Sequence, residues 1–257
     1  MKTLISVCLV TLTLPVFATT RPLTTYAQLT EIASKVKSEY NALVLQANRR
    51  FMKGLQFQAS YTLSRAIDTL QTSTTFTANN TPFDVFNPEA DRGRSNYDRR
   101  HKFVASAVIA PRVKASNKFV TALADGWSIS PIYQVYTGLP YDGLVSGSNG
   151  GAGSLNRSGG QNRLVGLVER NAFTGPTVKN LDLRLSRRFY IKEKVNVEFL
   201  GEVFNLPNSV QITGINGTMY NLVSGGLTYN TAFGTINEAG GTLYRERQVQ
   251  LGFRFQF

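Results

Sequence analysis

The chain has 257 residues, of which 42% are apolar, only 17% charged and 11% aromatic, with 22 glycines. So low a charge content is unusual for a soluble domain, and Tyr and Phe favour pleated, half-buried surfaces; the profile is that of β-structure with long irregular connections. The formal net charge is +12, yet the cations are dispersed and no nucleic-acid motif with interleaved aromatics occurs, so the charge fits the anionic bacterial surface better than nucleic acid.

Cys8 and His101 are the single cysteine and histidine. An internal disulfide, a cysteine-based metal site and a multi-histidine metal site are thereby excluded, and no cofactor is expected. At the N-terminus, Lys2 precedes an apolar run from Leu4 to Val16, and Val16-Phe17-Ala18 offers small or branched residues at the positions a leader peptidase reads. This is the layout of a secretory signal peptide covering residues 1–18, with cleavage between Ala18 and Thr19. The competing reading is a first β-strand, since Thr3, Ile5, Val7 and Leu9 share one face. Residues 19–39 are expected to form a linker or an extra strand. No later run is long and apolar enough for a membrane-spanning helix, so membrane insertion would require a closed barrel.

From residue 40 to 257 one pattern repeats. Leu43, Leu45, Ala47 and Phe51 alternate with Val44, Gln46, Asn48 and Arg50. Leu55, Phe57, Ala59, Tyr61 and Leu63 alternate with Gln, Ser and Thr. Phe103, Ala105, Ala107 and Ile109 form a third row, and Trp127, Ile129, Tyr133 and Val135 a fourth, interrupted by Pro131. Leu181, Leu183, Leu185 and Phe189 alternate with Asp182, Arg184, Ser186 and Arg188. Val195, Val197, Phe199 and Val203 alternate with Asn196, Glu198 and Glu202. Val249, Leu251, Phe253, Phe255 and Phe257 alternate with Gln248, Gln250, Gly252, Arg254 and Gln256. These are seven strands of about ten residues, the length a tilted strand needs to cross a bilayer.

Alternation suits a soluble β-sandwich nearly as well. The connections separate the two. Met52-Lys53-Gly54, 110–126 and Ile191-Lys192-Glu193-Lys194 are short or medium turns, whereas 67–100, 138–180 and 206–247 are long loops. Strict alternation of short and long connections is the layout of an antiparallel transmembrane β-barrel with periplasmic turns and extracellular loops. The apolar rows then face lipid. The charges of the other rows, Arg50, Asp182, Arg184, Arg188, Glu198, Glu202 and Arg254, face a wet lumen. Tyr40, Phe51, Tyr61, Trp127, Tyr133, Phe189 and Tyr190 are candidates for interfacial girdles. Arg49 lies in the lipid register but at a strand end, where its side chain can snorkel.

Several segments resemble the barrel of TonB-dependent receptors, in particular the Oar-like kind. They are Tyr40-Asn41-Ala42-Leu43 continuing to Asn48-Arg49-Arg50-Phe51, and Gly54-Leu55-Gln56-Phe57-Gln58-Ala59-Ser60-Tyr61-Thr62. The most distinctive is the loop run from Asp91 through Arg92, Arg94, Asp98, Arg99 and Arg100 to His101-Lys102-Phe103. Glu202-Val203-Phe204-Asn205-Leu206 and the strand from Arg247 to Phe257 complete it. The terminal aromatic row Phe253, Phe255 and Phe257 is similar to the signal read by the outer-membrane assembly machinery. The resemblance implies an outer-membrane location and a barrel that imports a ligand past an N-terminal plug, with energy passed from the inner membrane. Such barrels have about 22 strands. No plug or energy-coupling box is recognised here, so the expected reading is the C-terminal portion of such a barrel, lacking its plug and N-terminal barrel part. Outer-membrane lipid and lipopolysaccharide are the expected surroundings.

No nucleophile elbow, phosphate loop, zinc helix motif or calcium loop is present, and no enzymatic activity is expected. Glu198 and Glu202 share a face but lack an apolar cleft to perturb them. Gly150-Gly151 and Gly159-Gly160 read as flexible loop. In the loop motif, Arg92, Arg94, Arg99 and Arg100 are either anion-binding groups or partners of Asp91 and Asp98 that pin the loop over the barrel. The close interleaving of acid and base favours the pinning role. Two alternatives stand beside the receptor reading: a small self-sufficient barrel with a structural or adhesive role, and a soluble periplasmic β-sandwich that binds sugars. The former needs an eighth strand from residues 22–38, which alternate poorly.

Overall fold

The computed structural model describes residues 10–13, 30–33, 35–69, 87–147, 163, 168–192, 195–223, 226–239 and 245–257. Seven long strands dominate: β1 (Ser38–Met52), β2 (Leu55–Asp68), β3 (His101–Ile109), β4 (Trp127–Tyr136), β5 (Val178–Lys192), β6 (Val195–Phe204) and β7 (Gln248–Gln256). They form an antiparallel meander in which each strand pairs with its neighbours in sequence. All seven rows found by alternation are strands.

Register decides what the sheet presents to each side. Leu43 opposes Leu63, Ala59 opposes Ala105, Phe103 opposes Val135, Leu183 opposes Val203, and Phe199 opposes Phe253. Odd-numbered residues thus meet odd-numbered residues across every seam, and the apolar rows fuse into one face. The exceptions are bulges at the short-turn end, between Arg49 and Met52 and between Tyr190 and Lys192. Pro131 does not break β4. It stays in register with Leu183 of β5, while the ladder to β3 skips the positions beside it, because proline has no N–H to donate.

The odd face is apolar and exposed: Leu251 is 72% accessible, Phe253 67% and Phe255 69%. The even face carries the burial, and what it buries is polar, including Ser64, Asp68, Ser186 and Glu198. Among the described residues Val145 and Val178 are the only buried hydrophobic side chains. A β-sandwich packs two apolar faces together; this sheet does the reverse, and its strand faces suit a hydrocarbon solvent outside and water within.

The connections behave as their residues dictate. Lys53 and Gly54 both have positive φ (52° and 78°), as a two-residue hairpin turn of the primed type requires. A Cβ on Gly54 would also lie 2.6 Å from the Ala110 carbonyl oxygen. The connection 110–126 contains α1 (Lys118–Ala124), capped by the Asn117 side chain, which accepts from the Phe119 N–H. The long loops are less irregular than expected. Pro140–Tyr141 pairs with Phe173–Thr174, Leu144–Ser146 runs parallel to Thr218–Val223, and Ile212–Ile215 pairs with Ile236–Ala239. Of these three, the parallel pairing joins the second and third long loops and the other two close within one loop; polar, glycine-rich sequence hid all of them. Gly150-Gly151 and Gly159-Gly160 lie outside the described residues.

Near the N-terminus Val10–Thr13 pairs with Thr30–Ala33 in a separate two-stranded sheet. Thr30–Ala33 therefore does not add an eighth strand to the main sheet. No described helix is long and apolar enough to cross a membrane.

Candidate functional site

A dense cluster of hydrogen bonds and ion pairs lies at the long-loop end, where β2 delivers Asp68 to the polar face. The 3-10 turn Pro88–Asp91 follows, and Gly93-Arg94 then pairs with Ile67-Asp68. Ser95 donates its N–H to the Ala66 carbonyl (3.0 Å), and the Asp98 carboxylate accepts from the Ala66 N–H (2.8 Å). The Arg94 guanidinium donates to Asp98 (3.0 Å) and to the Thr174 hydroxyl (2.9 Å). The first long loop is thereby sewn to the end of β2 and to the second long loop.

Two buried ion pairs complete the link: Arg170 with Asp68, and Arg163 with Asp91. Asn171, in the left-handed region at φ 56°, donates its side-chain amide to the Arg94 carbonyl (2.8 Å) and to Asn96 (2.7 Å). Its backbone N–H donates to Asp142 (2.6 Å). Gly93 permits the approach, because a Cβ there would lie 2.7 Å from the Arg170 Cβ. Burial holds the Arg163 guanidinium down to about 10, with repulsion from Arg170 adding to it. Burial raises the Asp142 carboxyl, opposed by the Asn171 N–H and by Arg170.

The motif arginines act as pins. Arg92 pairs with Glu39 (3.1 Å) and Glu89 (3.8 Å). Arg99 donates to the Thr137 carbonyl (3.0 Å) and lies over the Tyr136 ring (5.4 Å), and Arg100 donates to the Ser64 carbonyl (3.5 Å). Three details differ from expectation. Arg94 pairs with Asp98 as expected, but Arg92, Arg99 and Arg100 find the partners just named instead of Asp91 or Asp98. Asp91 pairs with Arg163 of the next loop rather than with a motif arginine. His101 opens β3 instead of belonging to the loop; it opposes Leu63 and shares a 2.7 Å hydrogen bond with the Tyr61 hydroxyl. Asp68, Asp142, Arg163, Arg170 and Asn171 went unnoticed in the sequence, since each finds its partner far along the chain.

The lumen charges pair across strands. Arg188 contacts Glu198 (3.3 Å), Arg184 contacts Glu202 (3.8 Å), and Arg254 stands opposite Glu198 in register. The Asp182 carboxylate accepts from the Asn205 N–H (2.8 Å) and the Asn180 amide (2.9 Å). Arg50 falls inside the β1 bulge, where no pairing assigns it a face, and the Arg49 guanidinium reaches the Met52 carbonyl (3.4 Å) at the turn. Tyr40 and Tyr190 carry even numbers and so lie outside the apolar row. The outward aromatics are Tyr61 and Tyr133 toward the loops, and Trp127 and Phe189 toward the turns, while Phe51 shares the β1 bulge with Arg50. Phe253, Phe255 and Phe257 line the exposed outer face. No group of three or more metal-binding side chains occurs among the described residues.

An all-β antiparallel meander, polar and clamped within and apolar without, defines the class of membrane β-barrels. A family model described as "Outer membrane beta barrel domain" matches residues 10–163 and 158–250, and the chain belongs to that family. Its place is the outer membrane. No curated protein and no solved structure matches the chain significantly.

Proposed function

We propose that the chain forms the C-terminal part of a TonB-dependent receptor-type barrel, whose complete form takes up a ligand across the outer membrane. In this reading residues 1–18 direct export and are removed after Ala18. Phe253, Phe255 and Phe257 present the terminal strand to the assembly machinery. The clamped loops face lipopolysaccharide and the external medium, and the chain performs no catalysis.

One observation carries the preference for a larger barrel over a small self-sufficient one. β1 and β7, the two edges of the meander, both run from the long-loop end to the short-turn end. Direct closure would join them in parallel, in a sheet otherwise antiparallel throughout. An odd number of further strands restores antiparallel closure and satisfies backbone groups that cannot face hydrocarbon unpaired. Resemblance of the segments from Tyr40 to Phe257 to receptor barrels supplies the source of those strands.

Cysteines scanned pairwise along the free edges of β1 and β7, in a Cys8→Ser background, test this in membranes. The larger barrel predicts no intramolecular β1–β7 disulfide in any register. An efficient internal crosslink would mean a small closed barrel, and the structural or adhesive reading would replace transport.

A further inference from the structure

The short-turn end carries a surface that neither transport nor loop clamping uses. Connection 110–126 holds three cations, Arg112, Lys114 and Lys118, against one carboxylate, Asp125. That carboxylate is engaged locally, accepting from the Val113 N–H (2.9 Å), and this hydrogen bond is the main reason it stays below the usual aspartate range. Within α1, Phe119 is 74% exposed, Leu123 61% and Val120 47%, an apolar surface set among those cations.

Its position is fixed relative to the lipid-facing side of the sheet. The Trp127 indole N–H donates to the Leu123 carbonyl (3.0 Å), so the end of α1 abuts the first residue of β4. Trp127 belongs to the odd, outward row, where it opposes Arg187. The Arg187 guanidinium lies over both the Trp127 ring (5.1 Å) and the Phe189 ring (4.7 Å). A cation in the apolar register, held between two aromatic rings at the strand ends, marks the level where hydrocarbon gives way to headgroups. The end of α1, hydrogen-bonded to Trp127, is held beside that level with Phe119 and Leu123 exposed.

We infer that α1 and its flanks form a docking surface for anionic phospholipid headgroups of the leaflet at the short-turn end. Arg187, Lys114 and Lys118 contact phosphate, while Phe119 and Leu123 enter the interface. Charge complementarity and continuity with the lipid-facing sheet select this occupant. Short turns of outer-membrane barrels face the periplasm, so the leaflet is the periplasmic one. The inference rests on the family's membrane placement and is independent of the transport reading.

Trp127 is the single tryptophan, which makes its fluorescence a local reporter. The full chain is incorporated into phosphatidylcholine vesicles containing a small fraction of brominated lipid, either phosphatidylglycerol or phosphatidylcholine. Brominated phosphatidylglycerol should quench Trp127 more strongly, reflecting local enrichment of roughly fivefold per engaged cation at low salt and falling toward parity at high salt. The exposed-turn variant K114Q/K118Q should lose part of this preference, and R187Q a further part. Equal quenching by the two lipids, or a preference unchanged in both variants, would overturn the headgroup surface while leaving the barrel in the membrane. Quenching by neither lipid would mean that Trp127 does not reach the bilayer, and would overturn the headgroup surface as well.

Discussion

The two faces of one sheet follow opposite rules. On the odd face Leu251 and Phe255 are large, apolar and exposed, while on the even face Ser186 and Glu198 are polar and buried. In water the hydrophobic effect drives the reverse arrangement. The inversion is stable only where the outer solvent is hydrocarbon and the interior is wet, so the surroundings, as much as the sequence, determine which face is the core.

The largest effect expected from disturbing the inner side is at Asp68. Arg170, its partner, has a side chain only 4% exposed, so Asp68→Ala strands a buried guanidinium at a cost of about 3–5 kcal/mol. Urea unfolding of the membrane-inserted chain should show this loss, and Arg170→Met in the same chain should recover much of it. An unchanged midpoint would mean the clamp contributes nothing.

Next come paired substitutions at adjacent positions of β5. Leu183→Arg puts a charge on the lipid side and should cost about 2–4 kcal/mol, while Arg184→Gln removes a half-exposed lumen contact and should cost under about 1 kcal/mol. Equal costs in a lipid refolding assay would reject the face assignment.

Loop docking should also respond to pH through Asp142. Burial raises its carboxyl above the ordinary value of 3.8, so the folded loop holds the proton more tightly than the unfolded one. The stabilisation is full below that ordinary value and is lost as the pH rises through the raised one. Protease sensitivity of the 138–180 loop should increase across that window, and Asp142→Asn should flatten the response. The smallest effect is expected at Glu198→Gln, where the pair with half-exposed Arg188 is worth about 0.2–1 kcal/mol.

What the sequence disclosed follows the range of the interactions. The seven strands and their faces were legible because alternation is local, and a register linking Leu43 to Leu63 or Leu183 to Val203 carries each strand's pattern to its neighbour unchanged. Lys53-Gly54 announced its turn for the same reason. The loop cluster was only half legible. Arg94 and Asp98, four residues apart, suggested their own pairing, but Asp68 meets Arg170 across 102 positions and Asp91 meets Arg163 in another loop. Polar residues in long loops look solvated until the loops fold onto each other, and nothing local separates a buried Asp142 from an exposed one. Tyr40 and Tyr190 misled for a different reason: aromatic character points to the interface, but numbering parity places both outside the apolar row.

The inverted sheet is tested most directly by cysteine scanning of residues 181–186 in β5, in a Cys8→Ser background, with the chain in its membrane. Each position is labelled in turn with a lipid-soluble and with a membrane-impermeant, water-soluble thiol reagent. Leu181, Leu183 and Leu185 should react from the lipid phase, while Asp182, Arg184 and Ser186 should react from water, with a strict period of two. Uniform reaction from water along the strand, or the opposite phase, would contradict an apolar exterior around a polar lumen.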